Sequence, residues 1–567
     1  MLTPWADTLD RAQPLPEYPR PQMVRDSYLN LNGPWSYAIT TSASKPAQAD
    51  GTILVPFSPE SELSGVGHVL QPEEYLWYIR TVTLPDGFNV GRVLLHFGAV
   101  DQIATVWCNG VELTTHTGGY LPFTVDITEV LAKENTILVC VRDATNKSQL
   151  PRGKQTLHPH GIWYTPQSGI WQTVWLESVP QNYIHSLRVT PLFDAHQVEI
   201  TVEGEGQCTI DLEGKRFTFP AGVPAHVPVQ SFRPWSPEHP TLYPFSVTLG
   251  DDTVYSYFAM RKCSVETDQD GVRRLFLNGK PYFHNGLLDQ GYWPDGLYTA
   301  PSDDALIYDI QLAKDMGFNM LRKHIKVEPD RWYYHCDRLG MLVWQDMPSG
   351  GGRYNLLTIS APLITGIHLK DSHYRLFART DPDGRDSFRQ ELEEMIRQLQ
   401  NCPCIVLWVP FNEGWGQFDA KQITRLVRKL DPTRLIDHAS GWHDQGVSDV
   451  RSLHVYFKPY RFRPDKKGRA VVLSEFGGYN LPVASHTWNE KNFGYKGYQT
   501  PEALGEAVRK LYETQIIPAR KAGLAADVYT QLSDVEDEVN GFVTYDRRVE
   551  KLPEALMQAI ARELKGE

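Results

Sequence analysis

Short runs in which β-branched and aromatic residues alternate with polar ones fill the first part of the chain. TILVPF, YLWYIRTVTL, RVLLHFG, ATVWCNG, TILVCVRD and WQTVWLESV recur there with turn signals between them, and helical periodicity is nearly absent. This pattern predicts a jelly-roll β-sandwich over residues 1–180. A second set of runs, YIHSLRVTPL, HQVEITVEG, CTIDLEG, AHVPVQ and YPFSVTLG, predicts an immunoglobulin-like β-sandwich over 181–262. That segment lacks the Cys–Trp–Cys signature, so only the architecture is implied.

Near Cys263 the pattern changes. Apolar runs now alternate with amphipathic helical stretches such as DALIYDIQLAKDMG, SFRQELEEMIRQLQ and AKQITRLVRKL. Eight runs read as strands: YFHNGLL, FNMLRKH, MLVWQDM, CIVLWVPF, RLIDHAS, SLHVYF, AVVLSEF and DVYTQLS. Eight βα units fit a C-terminal (β/α)8 TIM barrel over 263–567. An open doubly wound sheet is the alternative; no glycine-rich phosphate loop opens the first unit, which favours the barrel.

The chain has 567 residues and a formal net charge of −12, which argues against a nucleic-acid or anionic-membrane partner. Aromatic residues make up 11%, which suits a carbohydrate binder and equally suits the cores of β-sandwiches. The seven cysteines are scattered, without disulfide or zinc spacing; Cys402-Pro-Cys404 reads as the entry to a buried strand. The N-terminal segment has neither a basic n-region nor an apolar h-region, and no apolar run is long enough to span a membrane. A cytoplasmic, reduced protein is expected, and sandwich edges with hydrophobic residues are compatible with a homodimer.

In a TIM barrel the functional side chains sit at the C-terminal ends of the strands. Those ends supply Asp289 and Trp293; Arg322, His324 and Lys326; Asp346; Asn412 and Glu413; Trp442; His454 and Tyr456; Glu475; and Tyr529 and Gln531. Glu413 follows IVLWVPFN and precedes GWG, and Glu475 follows AVVLS and precedes FGG. Cleaving a glycosidic bond with retention needs two carboxyl groups about 5–5.5 Å apart, one protonated and one ionised. The competing reading makes each glutamate a solvated salt bridge. For the pair, with Asn412 beside one member, chemistry is the better account.

The motifs resemble those of glycoside hydrolase family 2, the family of β-galactosidases, β-glucuronidases and β-mannosidases. The resemblance runs over nearly the whole chain, through LNLNGPW, VWCNGVEL, HTGGYLPFTVDIT and SGIWQTVWLE in the first domain. In the barrel it is carried by NMLRKHIKVEPDRWYYHCDRLGMLVWQDMP, WVPFNEGWG and LSEFGGY. It implies a retaining exo-β-glycosidase acting on a terminal sugar, with Glu413 as acid/base and Glu475 as nucleophile. It implies no required cofactor and leaves room for a metal ion. Glu413 should then have a raised pKa and Glu475 a low one, with Arg322 as the partner of Glu475. Asn412 is expected to bind the sugar 2-hydroxyl, and His454 and Tyr456 to orient Glu475 or the sugar.

The sugar is read less directly. β-Galactosidase is the first expectation; a uronidase, an arabinosidase and a β-mannosidase are the alternatives. Lys326 stands where many members have proline, either to recognise a carboxylated sugar or to pair with Glu328 or Asp346. The Asn-x-Lys signature of β-glucuronidases is missing, with Asn540-Gly541-Phe542 in its place. The polar segment 350–384 is expected to be a long loop that walls off the pocket, and RGKQTLHPHGIWYTPQSG a sandwich segment that reaches the site. A non-catalytic carbohydrate-binding protein would be expected to have lost one carboxylate. An esterase would need a nucleophile elbow, which is not found.

Overall fold

The computed structural model describes residues 1–566, without the side chains of Leu363 and Ile364. Two sheets face each other in the N-terminal part. One has six strands, among them Gly33–Thr40, Tyr75–Val82, Ile103–Cys108 and Asn135–Arg142. The other has four, including Arg92–Phe97 and Val174–Val179. Alternation does what period two requires: in Ile103–Cys108 every second residue is buried. The inward set, including Trp35, Leu95, Phe97, Val106 and Val139, forms the core between the sheets. A second sandwich of three and four strands follows, from Ser186–Leu192 to Asp252–Phe258, with its own core.

The barrel strands are β1 (His284–Asp289), β2 (Met320–Lys323), β3 (Leu342–Asp346), β4 (Ile405–Val409), β5 (Leu435–Ile436), β6 (Val450–Val455), β7 (Ala470–Gly477) and β8 (Leu524–Thr530). All the pairings are parallel and run β5-β4-β3-β2-β1-β8-β7-β6. The ring stays open between β5 and β6, where the Asp449 carboxylate accepts from the Ile436 amide at 2.8 Å and Ser440 meets Ser452 at 3.2 Å. Helix Ala420–Leu430 shows how the sequence wraps the barrel. Ala420, Ile423, Thr424 and Val427 form one buried stripe at helical spacing, and its lysines and arginines face outward.

Two details depart from the sequence reading. Strand β8 begins at Leu524, three residues before the DVYTQLS run, because LAA extends the apolar stretch backwards. The segment 350–384 is not all loop. It carries a helix, Leu356–Thr365, capped by the Asn355 side chain at one end and by Gly366 in the left-handed region at the other. Beyond that helix the Leu369 amide donates to His443 Nδ1 at 3.1 Å, and buried Arg379 donates to the Gly416 carbonyl at 2.8 Å. No helix among the described residues is long and apolar enough to cross a membrane, and all seven cysteines are free.

The two sandwiches are tied by buried charge. Arg25 donates to Asp252 of the second sandwich (3.0 and 2.9 Å) and to Glu177 of the first (3.0 Å), where Arg20 and Tyr18 also converge. Glu177 is fully buried. Removing one member of such a network leaves uncompensated charge in a dry environment, at a cost of about 3–5 kcal/mol. Glu177→Ala should therefore move the first transition in urea denaturation to lower concentration, whereas an exposed-pair control such as Glu393→Ala should not.

Candidate active site

Glu413 and Glu475 come together at the C-terminal mouth of the barrel. Glu475 lies within β7, between Ser474 and Phe476, in a strand buried along its whole length. Glu413 stands just beyond β4 with a left-handed backbone (φ 51°), followed by Gly414 at φ 75°. A side chain at Gly414 would approach His443 to 2.5 Å, so the sharp turn that aims Glu413 requires glycine there. His454 joins the pair, its Nδ1 lying 2.8 Å from Glu413 Oε1 and 3.4 Å from Glu475 Oε2. One ligand atom from each of Glu413, His454 and Glu475 falls within 4.8 Å of the other two.

Each carboxylate has its own surroundings. Glu475 Oε1 accepts from Arg322 at 3.0 Å and Oε2 from the Tyr456 hydroxyl at 2.5 Å. Tyr456 is steadied by Thr530 at 2.9 Å and by Tyr495, which stacks on it at 3.8 Å and 3°. Burial alone would push Glu475 up; His454 and Arg322 overcome this and hold its carboxyl below the ordinary range. Glu413 has no arginine. Burial pushes its carboxyl up, the hydrogen bond with His454 offsets part of that, and the charge of Glu475 pushes it up further. The two environments drive the pair apart in pKa, as acid/base chemistry demands.

Arg322 organises the floor. It is fully buried, forks onto Asp346 at 3.0 and 2.9 Å, reaches Glu475, and donates to Asn412 Oδ1 at 2.8 Å. Asn412 is thereby oriented with its buried Nδ2 lacking any partner among the described residues. His324 Nδ1 lies 2.8 Å from Asp346, and Trp442 donates to the main-chain oxygen of Glu413 at 2.9 Å. Ser440 lies 3.0 Å from His454 Nε2 and fixes the ring from behind.

Other strand-end residues lie elsewhere. Lys326, expected near the mouth as free positive charge, is fully buried and spends its ammonium on Gly291 O, Tyr298 O and Glu328 at 2.6–2.9 Å. Asp289 accepts from Lys323 at 2.7 Å in the same network. Trp293 packs under Arg547, Tyr529 sits in an aromatic cluster with Phe476 and Phe542, and Gln531 bonds to Gln290 and Asn540. These contacts are internal to the protein, because ions that hold the strand ends together leave the same sequence trace as ions that face a ligand.

Two side chains that reach the site were not singled out from the sequence: Lys154, although its segment was expected there, and Glu538. Lys154, in the sandwich segment RGKQTL, is 6% exposed; it lies 5.8 Å over the Trp415 ring and 3.9 Å from Glu538. Glu538, two residues before Asn540, accepts from the Tyr164 hydroxyl, and burial pushes its carboxyl up. The sandwich loop can approach this closely because of Gly153 (φ 63°). A side chain there would collide with the hydroxyls of Tyr298 and Tyr120 and the carbonyl of Ile325, all within 2.9 Å.

Comparisons with known proteins fit this arrangement. Residues 66–180 match the sugar binding domain of glycosyl hydrolases family 2, and residues 271–480 match its TIM barrel domain. A β-glucuronidase from Chlorocebus aethiops is 24% identical over 554 residues, covering 85% of this chain and 78% of the relative. A β-galactosidase from Thermoanaerobacter pseudethanolicus is 26% identical over 446 residues, covering 73% of this chain and 55% of the relative. Among solved structures, a Ruminococcus gnavus β-glucuronidase superposes with a TM-score of 0.76 at 17% identity, covering 98% of this chain and 100% of that one. A β-galacturonidase from Eisenbergiella tayi gives 0.71 at 18%, covering 96% and 98%. With both characteristic domains matched, in order and on the observed sandwich and barrel, this chain belongs to glycoside hydrolase family 2 and is a hydrolase of glycosidic bonds.

Proposed function

We propose that the protein is a retaining exo-β-glycosidase in which Glu475 is the nucleophile and Glu413 the general acid/base. The observation that carries this reading is the close carboxylate pair, with facing atoms within 4.8 Å, held in environments that split its pKa values. An inverting enzyme needs a wider gap, about 6.5–9.5 Å between carboxyls, to admit water between them. Glu475, ionised and aimed by Arg322 and Tyr456, attacks the anomeric carbon as Glu413 protonates the departing oxygen. Glu413 then takes a proton from water, which cleaves the glycosyl ester and restores both groups. Asn412 offers its free Nδ2 to the sugar 2-hydroxyl. Trp442, His324 and Asp346 hold the frame.

For the sugar, β-uronides are the first class to test, ahead of the β-galactosides that the sequence suggested. Most of the relatives described above are named for glucuronate or galacturonate. Lys154 supplies the cation that Lys326 cannot, and a raised pKa at Glu538 lessens competition for it. Neutral galactosides are the second reading, favoured by Glu538 itself, an acid in the region where Asn-x-Lys is missing.

Glu475→Gln should lower turnover of nitrophenyl β-glycosides by at least about 10⁴-fold, and the wild type should give the β-anomer first by NMR; an α-anomer first would sink the retaining assignment. The rate should follow a bell in pH. At low pH Glu475 gains a proton and stops attacking, and at high pH Glu413 loses the proton it must donate, so the plateau extends below and above the ordinary carboxylate range. Glu413→Gln, assayed with a good leaving group, should keep the acidic limb and lose the basic one. Across a screen of aryl β-glycosides, Lys154→Gln should cost a uronide about 10–100-fold in kcat/KM; an equal effect on a galactoside would favour the neutral-sugar reading.

A further inference from the structure

A cavity of about 390 Å³ lies against the sandwich loop that carries Arg152 and takes no part in the chemistry above. Its wall includes Lys147, Arg152 and Arg353, the aromatic rings of Trp163 and Tyr354, and His160. No carboxylate lines it among the described residues, although the chain as a whole carries twelve excess negative charges. Lys147 and Arg353 are exposed and have no acidic partner within ion-pairing distance among the described residues.

Arg152 is the informative member. It is 4% exposed, donates only to the main-chain oxygens of Gly351 and Gly352 (2.5 and 3.5 Å), lies 5.2 Å from the Tyr354 ring centre, and leaves its buried Nε unpartnered. A buried guanidinium held by carbonyls alone, with one donor unpartnered, points to an anion that completes its coordination.

The connection to the catalytic pair is short. Trp163, on the cavity wall, meets Trp415 with ring centres 5.1 Å apart, and Trp415 follows Glu413 by two residues. Arg152 and Lys154 flank Gly153, so one sandwich tripeptide sends one cation into the cavity and the other toward the carboxylates. A leaving group protonated by Glu413 departs on the Glu413 side, and this pair of rings, tilted 45° to each other, lines the way.

We propose that this cavity is a subsite for an anionic leaving-group moiety, so that the natural substrate is an acidic glycan whose next residue carries a carboxylate or a sulfate. The inference rests on the glycosidase reading above. Trp163 and Tyr354 stack the sugar faces, and Lys147, Arg152 and Arg353 neutralise the charge.

The test compares three aryl β-glycosides of whichever sugar is turned over, with neutral, carboxylated and sulfated aglycones, in the wild type and in Lys147→Ala/Arg353→Ala. Those two side chains are exposed, so the fold should tolerate the change. We expect the wild type to prefer one or both charged aglycones, and the double variant to lose about tenfold more kcat/KM on the preferred one than on the neutral one. The preferred arm tells carboxylate from sulfate. Equal losses, or a wild type indifferent to charge, would overturn the subsite while leaving the glycosidase reading intact. Should no sugar be turned over, quenching of tryptophan fluorescence by digalacturonate and by a sulfated disaccharide reads binding without catalysis. Saturable quenching by either, weakened about tenfold in the double variant, supports the subsite. No quenching, or quenching equal in both proteins, rejects it.

Discussion

A single buried guanidinium holds the floor of the barrel mouth together. Arg322 carries a full positive charge with no exposure to water, a placement that costs several kcal/mol unless neighbours replace the lost solvation. Asp346 does so with a two-pronged contact, and Glu475, Asn412 and the Ser474 carbonyl take the remaining donors. With His454, these bonds favour the ionised form of one carboxylate, orient the amide and leave the other carboxylate unassisted by any arginine. Where this cation points contributes to the electrostatic asymmetry between two chemically identical side chains.

Second to it is His454, which touches both carboxylates and is braced by Ser440. It lies on β6, beside the gap in the ring, where β5 has only two residues of regular pairing. One backbone bond, from the Asp449 amide to the Ile436 carbonyl at 3.2 Å, crosses that seam, and side chains supply the rest. Among them Ser440 leads straight to the imidazole.

Much of this was legible in the sequence, for a physical reason. Eight apolar runs followed by polar residues report a parallel barrel, since its strands are buried on both faces until they emerge at the mouth. Glu413 and Glu475 were visible because each ends such a run, with glycine directly after Glu413 and two residues after Glu475. The signal fails where a polar residue at a strand end serves the fold. Lys326 and Asp289 look like site residues in the sequence and are links in a buried ion network in space. Glu538 was missed altogether, and Lys154 was legible only as part of a segment expected to reach the site. Both lie outside the barrel strands, and only tertiary docking brings Tyr164, from the sandwich segment, to Glu538 across 374 residues of chain.

That last contact bears on how the site is assembled. Arg152, Gly153 and Lys154 come from the first sandwich and Glu538 from the stretch just after the last barrel strand, so the wall they share forms only where the two domains dock. Because that loop crosses between domains, mutation in the sandwich can reshape one wall of the site without touching the barrel strands that carry Arg322 and Glu475.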